Sequence, residues 1–470
     1  MKSRRVFLWL VFFVLACTSS SLAGGGFALP GVGSKALNLG GAFRALADDW
    51  SAAFWNPAGL AYLPNSEFSM NFYTLNFRPE YTPHMSQGES GYSYSFGYPT
   101  EKYYPEDRAF FLPSFSGFHK FPQIEGLTAG VAFYVPYKLE QRWDLYEPPS
   151  GFDNDAPYPK FDHQTDILVW DLHPTVAKSF MEERLSLGLG ISIQRADFEL
   201  RRTVLVPIST LPRPYDYWPV DSYLKTNGWG LGFNAGVLYK VNPQLQFGLS
   251  YQSPTDISLK GSLDLELYVP VIDIEDSGIL GGTYLYSDGD FETTLSLPGE
   301  IGVGVMYKPM DKLTLTGDVS SVNWSRFESI DTKDMVLSTD ESLPGYIFLD
   351  VRDAQMPFNW ENITRVSLGA EYALKEGLFL RGGYFFEQSP IPDNTFTVLI
   401  PDVGNKHSLN LGLSHQIDSF EFGYDFQMAT YQKRDVENLE DANNDQRFDN
   451  MPGEYRMLFF CSGLSFTYRF

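Results

Sequence analysis

The sequence predicts an all-β fold, a 14-stranded antiparallel transmembrane β-barrel. Three observations lead there. Long stretches alternate apolar residues with polar or tiny ones, connections alternate between short and long, and no run past the N-terminus is apolar enough for a membrane helix. The 470 residues hold 35 Lys+Arg against 58 Asp+Glu, a net charge of −23, with 41 Gly and 16% aromatics. Such acidity argues against nucleic acid as a partner, because phosphates require a basic face. Two cysteines, Cys17 and Cys461, supply no disulfide framework, and the 6 His fall in none of the common zinc spacings.

Residues 1–23 read as a cleaved signal peptide. Lys2, Arg4 and Arg5 precede an apolar run over 6–16, and Ser21-Leu22-Ala23 gives a small-residue cleavage site before Gly24. A lipoprotein signal acylated at Cys17 is the alternative. Export and a barrel together place the expected location in a bacterial outer membrane. Residues 24–65 do not alternate. Residues 31–41 are small and flexible, 42–49 read as helix, and Asn56 is placed to cap a turn with Pro57 at its first position and Ala58 next. This stretch is either a short periplasmic extension or a plug, since fourteen strands enclose more room than side chains fill.

Residues 66–470 form the predicted barrel. Leu185, Leu187, Leu189, Ile191 and Ile193 alternate with Ser186, Gly188, Gly190, Ser192 and Gln194, and Leu409, Leu411 and Leu413 alternate with Ser408, Asn410, Gly412 and Ser414. Successive strand side chains point to opposite faces, so each segment has one apolar face. A soluble sandwich shows the same period, but here the polar faces carry Gly, Ser and Asn, and aromatics sit near strand ends, as in an outer-membrane barrel. The predicted strands are 66–77, 109–121, 127–138, 166–180, 185–206, 228–241, 245–267, 289–309, 313–327, 363–374, 378–387, 406–417, 420–434 and 453–470. Long connections follow the odd-numbered strands and short turns the even ones. The long loops hold more than half of the acidic residues and under a third of the basic ones, an acidic rim suited to a surface of lipopolysaccharide and divalent cations. The terminal Phe466-Thr467-Tyr468-Arg469-Phe470 resembles the signal read by outer-membrane assembly machinery.

Within 24–65, Gly31-Val32-Gly33-Ser34, Ala47-Asp48-Asp49 and Asn56-Pro57-Ala58 are similar to the hatch of the FadL/TodX family of outer-membrane transporters for long-chain fatty acids and hydrophobic compounds. Further matches follow in family order, among them Gly248-Leu249-Ser250-Tyr251-Gln252-Ser253-Pro254, Asn323-Trp324-Ser325-Arg326-Phe327 and Leu380-Arg381-Gly382-Gly383-Tyr384. The resemblance implies a small helical N-terminal hatch in the lumen, an extracellular hydrophobic groove, a pocket at the hatch, and lateral release through a kink in the third strand. That strand holds Gly130, which permits a bend, and Pro136, which removes a ladder hydrogen bond; Pro136 ending the strand at the rim is the other reading.

The lumen face is expected to carry Lys240, Asp318, Arg365, Glu371, Arg381, Glu421 and Asp425. Arg365 and Arg381 are candidates for a ligand carboxylate, or else pair with acids across strands and support the hatch. Asp441, Asn443, Asp445 and Asp449 repeat part of a calcium-loop spacing, with Gln446 and Pro452 where Gly and Glu belong, so the set is either a loop calcium site or solvated acids. His407 and Ser408 have no acid in a triad arrangement, and no enzyme activity or other cofactor is expected. The expected function is passive uptake of hydrophobic molecules such as fatty acids or hydrocarbons by a monomer. The rivals are a general diffusion porin and a structural or adhesin barrel.

Overall fold

A computed structural model describes residues 25–29, 31–84, 86–87, 93–94, 101–146, 158–207, 217–268, 284–331, 336–338, 348–350, 355–444 and 448–470. The signal segment, Cys17 and Asp445 lie outside the described residues. Fourteen barrel strands are present among those described. They are β1 (Glu67–Pro83), β2 (Ala109–Lys120), β3 (Leu127–Trp143), β4 (His163–Phe180), β5 (Leu185–Pro207), β6 (Tyr217–Asn242), β7 (Leu245–Gln252, then Thr255–Tyr268) and β8 (Tyr284–Leu297, then Glu300–Met310). The ring continues with β9 (Leu313–Val322), β10 (Ile363–Lys375), β11 (Leu378–Glu387), β12 (Lys406–Ile417), β13 (Phe420–Tyr431) and β14 (Gly453–Arg469). Each pairs antiparallel with the next, and β1 closes on β14 from Glu67↔Arg469 to Pro83↔Gly453. Closure removes the free edges that lipid cannot satisfy.

Burial along the strands is inverted relative to a soluble sheet. On β12, Leu409 and Leu411 are 58% and 59% exposed, while Ser408 and Asn410 are 0% and 1%. The apolar face therefore points out toward lipid and the Gly/Ser/Asn face points in, which excludes the sandwich. Rings gather at one end of the wall, where Phe420 stacks on Tyr468 and Tyr468 on Phe470.

Boundaries depart from expectation where strands outrun the membrane. Residues 217–227, expected in a loop, continue β6 in ladder with β5. Chain rich in Tyr, Trp and Val pairs readily once a neighbour is there to receive it. Strand β9 stops at Val322 rather than 327, because a 3-10 turn at Trp324–Arg326 tucks Trp324 and Phe327 into the core. Strands β7 and β8 are interrupted side by side at Pro254 and Pro298, where no N–H is available for the ladder.

Candidate functional site

The N-terminal segment runs among the inward-facing side chains. It comprises α1 (Ser34–Asn38), α2 (Ala52–Trp55) and a 3-10 turn (Pro57–Tyr62). The helix expected over 42–49 is absent. The wall satisfies that backbone instead: Phe43 and Arg44 N–H donate to the Asp318 carboxylate at 2.9 and 2.8 Å, and Gln246 Nε2 donates to Ala45 O at 2.6 Å. Bonds to a charged acceptor contribute about 1.5–3 kcal/mol each, enough to outweigh modest helix propensity. Asn56 caps the 3-10 turn through Ala58 N–H, while its amide donates to Arg44 O (2.7 Å) and Val237 O (3.2 Å). Pro57 fills the first turn position as its missing N–H allows. Ser34 and Asn38 donate to Asp425, and Lys35 pairs with Asp48 (2.9 Å) and Glu371 (3.0 Å).

The predicted lumen charges are thus committed. Arg365 pairs with Glu387 at 3.2 Å and donates to Gly40 O, and Arg381 pairs with Glu371 at 2.7 Å and Glu421 at 3.7 Å. Arg365 thus ties the inner segment to the wall, and Arg381 shares Glu371 with Lys35 of the segment. Lys240 lies over the Tyr62 ring, 3.3 Å from its centroid.

The wall changes at β3. Its ladder with β2 runs from Lys120↔Thr128 to Phe115↔Phe133 and ends there. Beyond, 109–114 pair with β1 alone, while β3 continues against β4 as far as Trp143↔His163. At this point Val135 and Pro136 stand opposite the single residue Trp170, a β-bulge that bends the strand. Pro113 and Pro136 lie on the two facing edges and carry no N–H, which lowers the cost of leaving those edges unpaired. Leu29 N–H donates to Pro136 O at 3.0 Å, and Ala28 bridges Tyr137, so the N-terminal segment takes up part of the edge β2 leaves. The seam rejoins at the rim through Glu106 N–H to Arg142 O (2.8 Å) and Arg108 to Glu140 (2.6 Å). Gly130 is not at the separation. It is paired with both Phe118 and Thr175, and a Cβ there would strike Gly117 O, so its small size serves close strand contact.

Residues 25–29 form a strap across the bore. Phe27, 2% exposed, sits among Tyr137, Trp324, Phe327 and Trp360, with ring centroids 5.1–5.8 Å away. Gly26 N–H donates to Asp402 at 2.7 Å. Burial lifts the Asp402 carboxyl to about 6, against the pull of Lys406 beside it. Cavities of about 60, 30 and 20 Å³ adjoin the strap. The first is lined by Ala28, Tyr137, Trp324 and Arg365, the second by Leu29, Ser114, Tyr134 and Val135 at the seam, and the third by Phe27, Ala28, Asp402 and Lys406. Sequence reasoning did not single out Phe27 or Trp360. The signal available was Phe27 itself, a large apolar residue directly after three glycines.

In the outer loop, Asp449 accepts from Ala442 N–H at 2.9 Å and Asn443 donates to Gln355 O. Among the described residues no group of three acidic, His or Cys side chains converges as a metal site, and Asp445 lies outside them.

The family model of outer membrane protein transport proteins (OMPP1/FadL/TodX) matches residues 15–470. A putative outer membrane protein of Neisseria meningitidis is 24% identical over 400 residues, 82% of this chain and 81% of that one. Outer membrane protein P1 of Haemophilus influenzae is 25% identical over 411 residues, 80% of each chain. Among solved structures, a Pseudomonas aeruginosa FadL homologue superposes with a TM-score of 0.75 at 18% identity, covering 95% of this chain and all of that one. The Pseudomonas putida toluene transporter TodX gives 0.68 at 16%, covering 94% and 99%. These two likenesses concern the fold alone. With a closed barrel whose apolar face meets lipid and a model match over nearly its whole length, the chain is a bacterial outer-membrane protein of the OMPP1/FadL/TodX family of transport proteins.

Proposed function

We propose that the protein passes hydrophobic molecules, such as long-chain fatty acids or hydrocarbons, through its barrel, and that the inner segment acts as a hatch with release sideways between β2 and β3. The separation of these strands beyond Phe115↔Phe133 is the observation that carries this reading. An apolar solute gains nothing from an aqueous exit, whereas a gap in the wall at membrane depth delivers it to lipid. The cavity beside that gap has Leu29, Val32, Leu37, Leu75, Leu112 and Val135 in its lining and no charged side chain. Two proline-bearing edges keep the gap affordable in backbone hydrogen bonds. The family's transport role supports the direction of this reading, and the packed bore argues against a general diffusion porin.

Deleting Pro136 tests it. One residue then faces Trp170, the bulge is gone, and β3 can straighten toward β2. Uptake of labelled oleate or alkane by cells is expected to fall to the level of a strain lacking the protein, with the barrel still showing its folded mobility on gels. Undiminished uptake by a folded Pro136-deleted barrel would rule out sideways release.

A further inference from the structure

We propose that the outward face of β14 and β1, at their loop ends, binds the phosphates of an outer-leaflet glycolipid, with Arg78 at the centre of the site. This site lies on the outside of the wall, and whatever passes through the bore has no part in it.

Depth comes first. Phe68, Phe72 and Arg78 all face outward on β1, and Phe68 pairs with Tyr468 in the aromatic cluster at the short-turn end. From 68 to 78 the strand advances ten residues. At about 3.3 Å per residue and a tilt of about 40°, that is about 25 Å along the membrane normal, the height of an outer-membrane barrel's apolar band. Arg78 therefore emerges where hydrocarbon gives way to headgroups, at the end that carries the long loops. Beneath it the surface suits acyl chains. Phe72 and Phe115 meet edge-to-face at 6.1 Å, and Phe111 is 76% exposed.

Charge comes second. Elsewhere on the outer face each cation has its own acid: Arg195 has Asp197 at 3.3 Å, Lys225 has Glu199 at 2.6 Å, and Lys260 has Glu292 at 2.5 Å. Around Arg78 the acids run short. Glu454 is shared by Lys433 (2.5 Å) and Arg456 (2.9 Å), and Glu80 is taken by Lys102 at 3.1 Å. Asp107 is engaged by Asn76 at 3.1 Å. Among the described residues no carboxylate pairs with Arg78, although the chain as a whole carries a net charge of −23.

The guanidinium is nevertheless held in place. Its Nε donates to Asn76 Oδ1 at 2.7 Å, and its carbon lies 5.7 Å from the centre of the Phe460 ring. A cation fixed over a ring, with its terminal N–H groups uncommitted, is prepared for an anion that accepts two parallel bonds. Phosphate meets that demand. Arg456 stands opposite Glu80 and one step diagonally from Arg78, so a second cation is within reach of the same headgroup. A soluble phosphate compound gains only these bonds. A phosphorylated glycolipid gains them together with burial of its chains on the apolar face directly below.

The test titrates the whole protein, purified in detergent with EDTA, with lipid A carrying two phosphates, and counts bound lipid by native mass spectrometry. Saturable binding is expected. Arg78→Gln should weaken it roughly tenfold to a hundredfold, the loss of bonds between a guanidinium and an anion. Arg78→Lys should fall between, because it keeps the charge and loses the paired donors. Arg195→Gln, on β5, should bind as the native protein does. Lipid A stripped of both phosphates should bind weakly, and equally to the native protein and Arg78→Gln. Should Arg78→Gln lose its folded mobility on gels, Lys102→Gln with Arg456→Gln carries the same test. The proposal is overturned if a folded Arg78→Gln protein binds lipid A as before. Equal competition by phosphatidylglycerol would make the face a general anionic-lipid surface and also overturn it. Displacement by millimolar inorganic phosphate would assign the site to a free anion, and binding that requires divalent cations would assign it to bridging by the acidic loops; either result defeats the proposal.

Discussion

Asp402 is a buried loop carboxylate, and its titration is a residue-level handle on how tightly the strap is held. Its pKa is raised to about 6 by burial, despite Lys406 and the Gly26 N–H. An unfolded aspartate titrates near about 3.9, so the folded protein binds the proton more readily. The stability this group contributes is therefore complete below about pH 4 and is lost as pH rises through 6. Asp402→Asn keeps an acceptor for Gly26 and removes the ionisation. The denaturant midpoint in micelles should fall between pH 4.5 and 7 for the native protein and fall less for the variant. Equal slopes would mean that Asp402 is solvated. Other single residues were readable from sequence to different degrees. Asn56 was, because a cap before proline is a local pattern, and the structure adds the bonds to Arg44 O and Val237 O that locality hides. Arg365 and Arg381 were placed on the right face by alternation. Their partners Glu387 and Glu371 come from adjacent strands and Glu421 from the next but one, whose register one strand's periodicity does not carry.

At the scale of elements, the glycines on inward faces have a specific cause. A Cβ at Gly188 would collide with Pro57, at Gly236 with Asn56, at Gly248 with Arg44 O, at Gly383 with Leu39 and Gly40, and at Gly412 with Asn38. Alternation made those faces look merely small, and the reason is an inner segment pressed onto the wall backbone. Gly117 on β2 has open space at its Cβ and serves as the control. Gly248→Val should destabilise the packed segment by about 1–3 kcal/mol, as overpacking does, and open Arg44 and Lys35 to trypsin. Gly117→Val should change nothing beyond roughly 0.5 kcal/mol, with proteolysis as slow as in the native protein. Strand existence was legible because a closed wall repeats one period many times. The seam was not. Pro136 lies on one of the two strands that part, but which neighbour lets go depends on the bulge opposite Trp170 and on 109–114 following β1.

On the scale of the whole molecule, strand number and closure were legible from the alternating connection lengths, whereas what fills the bore depends on long-range pairing between a non-periodic segment and many strands. That pairing also sets the bore's electrostatics. Asp318 is answered by Phe43, Arg44 and the Arg44 guanidinium, Asp425 by Ser34 and Asn38, and Glu371 in part by Lys35, all from the segment. The wall cations keep acidic partners within the wall itself, Arg365 with Glu387 and Arg381 with Glu421. Removing residues 25–63 therefore strips cationic and N–H partners from three wall carboxylates, while the wall cations it uncovers, Lys240 from the Tyr62 ring and Lys120 from Leu63 O, lose no acidic partner. Fourteen strands lie between the eight that side chains alone can fill and the sixteen that leave an aqueous channel, so the emptied bore should conduct. In planar bilayers the truncated barrel is expected to give a steady ohmic current, and under a salt gradient a reversal potential of the sign for cations, while the full chain conducts little. An anion-selective current would show that Arg365 and Arg381 govern the emptied bore. A full chain conducting as well as its truncation would show that the segment does not close the passage, and would return the molecule to the class of open porins.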